Sequence, residues 1–296
     1  MQTSYLQYMI EIDRTRSITQ AAANLYMSQP SLSRILHELE EQLGFALFER
    51  SNRGVRPTPA GVGFMQHARR ILNEVAAIEG LGSGKRAAER FHICMPRSAG
   101  ILDLAAEYLN TLPADRPLDA VLRECHVRQS FEYIASGEAD LAVIRFRREY
   151  QHFFEDQALA NDLSYRELNS YRYRIVIRGD NPLAEKAQLK VRDLAALTEI
   201  THGDTFRTQR QEDDAPRRHI YSVDRQAQLT LLQRIPGAFM WTTSMLPEQL
   251  ACRGLVQRDV SDNRVEYQNA VISVAPGLLN EIESGFIEFV ASHCGR

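Results

Sequence analysis

SQPSLSRILHELEEQLG, residues 28–44, is the stretch on which the fold turns. Ser28 is placed to cap a helix, and Pro30 is tolerated in the first turn because the amide it lacks would have had no partner there. Leu32, Leu36, Leu39 and Leu43 then fall on one helical face, and Gly44 ends the helix. The opposite face carries Gln29, Pro30, Ser33, Arg34 and His37. A narrow polar stripe of this kind suits a helix lying in a major groove, where Gln, Ser and Arg hydrogen-bond base edges or phosphates.

Upstream, Leu6, Met9 and Ile10 recur at helical spacing over residues 5–12. Ser17 with Gln20 has the form of a capping box opening a second helix through Ala21, Ala22, Ala23 and Leu25, and Tyr26 to Ser28 make a tight break. Downstream, residues 45–50 read as a strand, residues 51–54 as a turn, and Val55 with Arg56 as the return strand. Arg50, Arg53 and Arg56 on this small wing suit phosphates or a minor groove. Thr58 and Pro59 start a further helix that runs to about Ile78. Along it Val62, Met65, Ala68, Leu72 and Val75 form a seam for a partner helix, with packing against its own domain as the alternative. GLGSGK, residues 80–85, looks superficially like a phosphate loop, but Glu79 and Arg86 stand where glycine and Ser or Thr are needed, so it is taken as a hinge.

The same region resembles the LysR-type transcriptional regulators. The matching positions are Ser17, Ile18, Thr19, Ala21, Ala22, Leu25, Ser28, Gln29, Pro30, Ser33, Leu39, Glu40, Leu43, Gly44, Leu47, Phe48, Arg50, Thr58, Pro59, Ala60 and Gly61, all in one register. Ile18 and Pro57 depart from the pattern, where the family often has Phe and Leu; both are apolar packing positions. The resemblance implies that Gln29, Pro30, Ser33 and Arg34 lie nearest the bases, with Arg50 and Arg53 nearer the backbone. It also implies a linker helix paired with its copy in a dimer or tetramer, a pseudo-palindromic operator on double-stranded DNA, and contact with RNA polymerase for an activator.

In the C-terminal two thirds, strand and helix alternate: 91–95, 98–109, 118–125, 127–135 and 140–144. A largely parallel sheet is expected. A strand pair over 163–168 and 171–177, a second unit through 198–201, 227–234 and 237–241, and a return over 269–274 and 279–291 follow. Gly137 to Ala142 and Asn181-Pro182-Leu183 resemble further family elements. The fold expected is therefore α plus α/β. A winged helix-turn-helix spans 1–58 and a linker helix and hinge 59–90. A two-lobed effector domain, resembling periplasmic solute-binding proteins, spans 91–296, with lobe I at 91–163 and 268–296 and lobe II at 164–267.

Ligands of open α/β sheets lie beyond the carboxyl ends of strands, at helix N-termini. That rule points to Pro96, Arg97 and Ser98, to His126 and Val127, to Arg145 and Phe146, and in the second lobe to His202, Gly203, Thr205, Thr242 and Thr243. Arg97, His126, Arg145 and His202 together favour an anionic small-molecule effector.

The net charge of −3 does not mark a nucleic-acid binder, so the case rests on where the basic residues sit. No apolar run approaches a membrane span and no signal peptide opens the chain, so a cytoplasmic protein is expected. Cys94, Cys125, Cys252 and Cys294 are too scattered for a zinc site or a disulfide framework, and neither metal nor cofactor is expected. Cys94 and Cys125 become neighbours if their strands pair, but nothing around them in sequence lowers a thiol pKa. An enzyme is disfavoured because GxSxG, HExxH and a dinucleotide fingerprint are all missing. A transport-type binding protein would carry an export signal, and an architectural DNA protein would be more basic.

Overall fold

The computed structural model of the chain describes residues 2–51, 54–82, 88–202, 216 and 218–294. At the N-terminus α1 (Thr3–Thr15), α2 (Ile18–Asn24) and α3 (Gln29–Leu43) enclose one apolar cluster. Ser17 caps α2 by accepting the Gln20 amide, but the Gln20 side chain bonds forward to Asn24 and leaves the capping box half made. Tyr26 adopts a left-handed φ of 54°, which turns the chain into Ser28. Ser28 accepts the Ser31 amide, Gly44 ends α3 at a φ of 78°, and Leu32, Leu36 and Leu39 are buried as their spacing requires.

The wing is an antiparallel hairpin of β1 (Phe48–Ser51) and β2 (Gly54–Pro57). Its first strand begins later than the expected residue 45. Residues 45–47 turn back along α3 instead, where Glu40 Oε1 accepts the Leu47 and Phe48 amides at 2.7 and 3.2 Å. α4 (Pro59–Gly82) follows, with Thr58 Oγ1 accepting the Gly61 amide at 2.9 Å and donating to the Ala46 carbonyl at 2.7 Å. Glycine is required at 61, since a Cβ there would stand 2.0 Å from the Leu47 carbonyl oxygen. The helix continues through residues 80–82, where a hinge was expected. Two of the five residues of its expected partner seam are spent inside the chain. Met65 and Ala68 are buried, Met65 within the N-terminal core, while Ile71 and Ile78 on α4 are exposed.

Beyond residue 88 lie two mixed five-stranded sheets. Lobe I holds β3 (Glu89–Met95), β4 (Leu118–Glu124), β5 (Leu141–Arg147), β6 (Ser164–Arg172) and β12 (Glu266–Ser273), in the order β4-β3-β5-β12-β6. Its helices are α5 (Ala99–Thr111), α6 (Val127–Ala135), α7 (Gln151–Ala160) and α10 (Glu281–His293). Lobe II holds β7 (Arg174–Arg178), β8 (Thr198–Thr201), β9 (Arg218–Tyr221), β10 (Ala238–Thr242) and β11 (Leu255–Arg258), in the order β11-β7-β10-β8-β9, with α8 (Arg225–Arg234) and α9 (Pro247–Ala251). Apolar clusters fill both sides of each sheet.

Two expectations are corrected here. Each sheet is only half parallel, because the strands that cross between lobes run antiparallel to their neighbours. Residues 164–172, expected in lobe II as one arm of a strand pair, form β6 of lobe I and pair with β12, whereas β7 pairs with β10 and β11. Tyr173 alone separates β6 from β7, too little chain to reverse direction, so the backbone runs on from one sheet into the other. The lobes therefore divide at Tyr173 rather than at 164, and the return strand begins at Glu266 rather than at 269.

Candidate functional site

The exposed edge of α3 is the first candidate. Ser28, Gln29, Pro30, Arg34 and His37 are exposed and Ser33 half-buried, so the polar stripe faces outward as its spacing implies. With Ile18 of α2 and Phe48 and Val55 of the wing, these α3 residues line a groove of about 490 Å³. Arg34 lies 3.7 Å from Glu38 and His37 3.3 Å from Glu41, both one turn on and well exposed. Such pairs contribute little in water, so phosphates or base edges displace them cheaply. Arg56 on β2 is also exposed. Arg50 lies on β1 opposite Val55, but its side chain, like all of Arg53, falls outside the described residues.

The second candidate is a cleft of about 420 Å³ between the two lobes. Arg97, His126, Val127, Arg145, His202, Thr242 and Thr243 all line it, together with Pro96. Ser98 is buried at its edge, its hydroxyl 3.5 Å from that of Thr243 across the lobes. Phe146 does not reach it. Side chains alternate along β5, so Arg145 faces the cleft while Phe146 is buried on the other side against Phe154, with ring centroids 4.7 Å apart. Gly203 and Thr205 fall outside the described residues.

Arg145 is the centre of the site. Its guanidinium reaches Asn269 Oδ1 and the Arg97 carbonyl, both at 3.3 Å, and the Tyr173 hydroxyl at 3.4 Å. Its Nη2 is buried without a hydrogen-bond partner among the described residues. From lobe II comes Arg225, which donates to Thr242 at 3.2 Å. Burial, and then the positive charge of Arg145, pull the Arg225 guanidinium below its ordinary pKa. Among the described residues the one acidic lining residue is Glu199, which sits 3.3 Å from His219. Across the mouth, Arg97 Nη1 meets His202 Nδ1 at 3.1 Å while His202 Nε2 lies 2.7 Å from the Val223 carbonyl. A carbonyl can only accept, so Nε2 carries the proton, and Nδ1 is left to accept from Arg97.

Sequence reasoning missed Arg225, Tyr173, Glu199, His219, Trp241 and Asn263. Arg225 was within reach, because Asp224 caps α8 by accepting the Ala227 amide and so places Arg225 at a helix N-terminus. Tyr173 and Asn263 belong to the crossovers, and the Asn263 amide donates to the Tyr173 carbonyl at 3.0 Å. Among the described residues no group of three His, Cys, Asp or Glu is arranged to hold a metal ion, and no helix is long and apolar enough to cross a membrane.

A winged helix-turn-helix on a long helix, followed by two lobes around a basic cleft, defines a DNA-binding protein with a ligand-binding module. The bacterial regulatory helix-turn-helix model of the lysR family matches residues 3–62, and the LysR substrate-binding domain model matches residues 85–295. The chain belongs to the LysR family of transcriptional regulators. It is similar to a hydrogen peroxide-inducible genes activator of Pectobacterium carotovorum subsp. carotovorum, 28% identical over 64% of this chain and 60% of that protein. It is also similar to the HTH-type transcriptional regulator GbpR of Azospirillum brasilense, 30% identical over 66% of this chain and 56% of that protein. The chain thus spans under two thirds of the length of these relatives. Two solved structures share the fold. One is full-length LysG from Corynebacterium glutamicum with bound effector Arg, with a TM-score of 0.66, 16% identity, and 99% of this chain and 98% of that one covered. The other is ArgP from Mycobacterium tuberculosis, with a TM-score of 0.68, 16% identity, and 98% and 96% covered.

Proposed function

We propose that this protein is a sequence-specific transcriptional regulator whose hold on DNA is set by an anionic small molecule bound between its lobes. Gln29, Ser33 and Arg34 read base edges, while Ser28, Pro30, His37, Arg50, Arg53 and Arg56 seat the backbone. The exposed Ile71 and Ile78 of α4 supply the face on which a second copy pairs, giving a dimer or tetramer that reads a pseudo-palindromic operator. If it activates, it also meets RNA polymerase.

The observation that carries the effector reading is Arg145, whose buried Nη2 has no partner in a cleft that already holds Arg225. Holding Arg145 and Arg225 close together is costly, and a bound carboxylate or phosphate offsets that cost through charge-assisted hydrogen bonds. Trp241, the only tryptophan of the chain, lines the cleft and makes the test direct. Carboxylate and phosphate metabolites should change its fluorescence saturably, with affinity falling at least tenfold in Arg225→Met. A library in which only neutral or cationic compounds bind would refute an anionic effector. For the DNA half, Arg34→Ala should cost roughly 1–3 kcal/mol on the specific operator with relaxed sequence preference. Equal weakening on every sequence would make Arg34 a phosphate contact only.

A further inference from the structure

The turn between α2 and α3 has the backbone hydrogen bonds of a glycine-type helix stop. With Leu25 as the C-cap of α2, the Tyr26 amide donates to the Ala23 carbonyl at 3.2 Å and the Met27 amide to the Ala22 carbonyl at 3.0 Å. This pair of bonds puts the residue after the cap in the left-handed region, where glycine is the usual occupant because a Cβ crowds the backbone. Tyr26 stands there instead, with a φ of 54°. Its ring is 99% exposed, the most exposed large apolar or aromatic side chain among the described residues, so it adds no packing to the N-terminal core. Both of the residues that follow are fixed. Met27 packs against that core and Ser28 caps α3 by accepting the Ser31 amide. The ring is therefore held at the entry to α3, three residues ahead of Gln29, where the exposed polar stripe begins.

We propose that Tyr26 is a contact to the sugar-phosphate backbone of duplex DNA, its hydroxyl donating to a phosphate oxygen and its ring lying on the adjoining deoxyribose. The inference rests on the DNA reading of α3 and extends it to a residue outside that helix. A helix that enters the major groove by its N-terminal half brings the turn before it against the groove wall, and that wall presents phosphates and sugars rather than base edges. A phenol matches such a wall, with a donor at its tip and an apolar body behind it.

The conformational cost of Tyr26 is borne in the free protein, and a contact outside the chain is what offsets it. Because the turn is already set by the two backbone bonds, docking the ring has only its side-chain torsions left to fix, which keeps the entropic loss small. The contribution of Tyr26 also differs in kind from that of the arginines. A backbone contact carries no base information, so it strengthens the hold on every duplex alike. A tyrosine carries no charge, so it displaces no counterion and leaves the salt dependence of binding unchanged.

The test uses the full chain with two probes, a duplex that the protein itself selects from a random-sequence pool and a shuffled duplex of the same length. Tyr26→Phe keeps the ring and the turn; it should bind both probes about tenfold more weakly, as one lost hydrogen bond to a charged oxygen implies, with the salt slope of the parent. Tyr26→Gly should bind both more weakly still and yet melt at a higher temperature than the parent, because glycine fits the left-handed position. Single methylphosphonate substitutions along the selected duplex should reveal one linkage per half-site that weakens the parent severalfold more than it weakens Tyr26→Phe. Equal binding by the parent and both variants overturns the proposal and leaves the DNA reading of α3 intact, whereas a parent that holds neither probe removes both. A loss confined to the selected duplex makes Tyr26 a base reader and overturns the backbone contact. Unchanged affinity with a shift in oligomeric state does so by assigning the ring to a second copy, and a lower melting temperature in Tyr26→Gly does so by making the ring a support of the fold.

Discussion

Glu40 decides whether the wing is held against α3. One of its carboxylate oxygens accepts both the Leu47 amide at 2.7 Å and the Phe48 amide at 3.2 Å. These are the residues that connect α3 to β1, and their side chains are buried at 0% and 8% exposure. In Glu40→Ala both amides lose their acceptor next to the apolar core. Each orphaned donor costs roughly 1–3 kcal/mol, so the pair costs about 2–6 kcal/mol if water fails to replace the carboxylate. For a unit of this length about 1 kcal/mol shifts Tm by roughly 4–8 °C, so the DNA-binding unit should melt more than about 8 °C lower. Glu40→Gln keeps an oxygen of the same shape without the charge and should lose about half as much. Calorimetry of the full chain measures this transition. Trp241 fluorescence follows lobe II separately and should not move. Operator affinity should fall with the same ranking, because the wing loses its fixed relation to the polar stripe. If both variants melt within about 1 °C of the parent, the carboxylate is not what sets the wing.

Gly61→Ala drives a methyl to 2.0 Å from the Leu47 carbonyl oxygen, whereas a Cβ at Gly63 meets nothing within 4 Å. The first should lower the denaturant midpoint sharply and the second should raise stability by up to about 1 kcal/mol through helix propensity alone. Glu283 is buried beside Asp140; burial, then that charge, pushes its carboxyl up to about 8. The native state therefore keeps a proton that the unfolded chain releases near 4.5, so its contribution is full below about pH 4.5 and lost as pH rises through about 8. Melting scans across that window should show Glu283→Gln with a flatter pH dependence and its largest advantage at pH 8; parallel curves would mean Glu283 ionises normally.

The α3 pattern was legible because every signal that fixes it is local: cap, first-turn proline, leucine spacing and terminating glycine lie within residues 28–44. The lobe assignment was not, because β6 and β7 are adjacent in sequence but each completes a different sheet, and only their distant partners β12 and β10 decide that. β9 (RHIY) and β11 (LVQR) are short and half polar, and they gain strand character from the neighbour they pair with. The rule that ligands lie beyond strand ends located eight of the expected cleft residues, among them Arg145 and His202, since it follows from topology. It failed at Phe146, where one residue of register changes the face, and it could not find Arg225 while β9 before α8 was unread.

The contact between α4 and lobe I is built from polar groups. The Gln66 amide reaches the Ile134 carbonyl at 3.3 Å and Arg70 lies 3.6 Å from Asp140. Arg69 bridges to Asp13 of α1 at 2.8 Å and presses so closely on Gly137 that a Cβ there would meet its Nη1 at 2.8 Å. Among the described residues no buried apolar cluster includes members from both sides of this contact. A seat of this composition resembles the polar, re-formable interfaces between domains rather than a shared core. It also meets α6 at one end only. Ile134 and Gly137 stand at the C-terminal end of α6, while His126 and Val127 line the cleft at its N-terminal end, nine residues and about 13 Å away at 1.5 Å per residue. One helix thus has the interlobe cleft at its head and α4 at its foot. The groups that join that foot to Gln66 and Arg70 are a hydrogen bond and an ion pair rather than packed side chains.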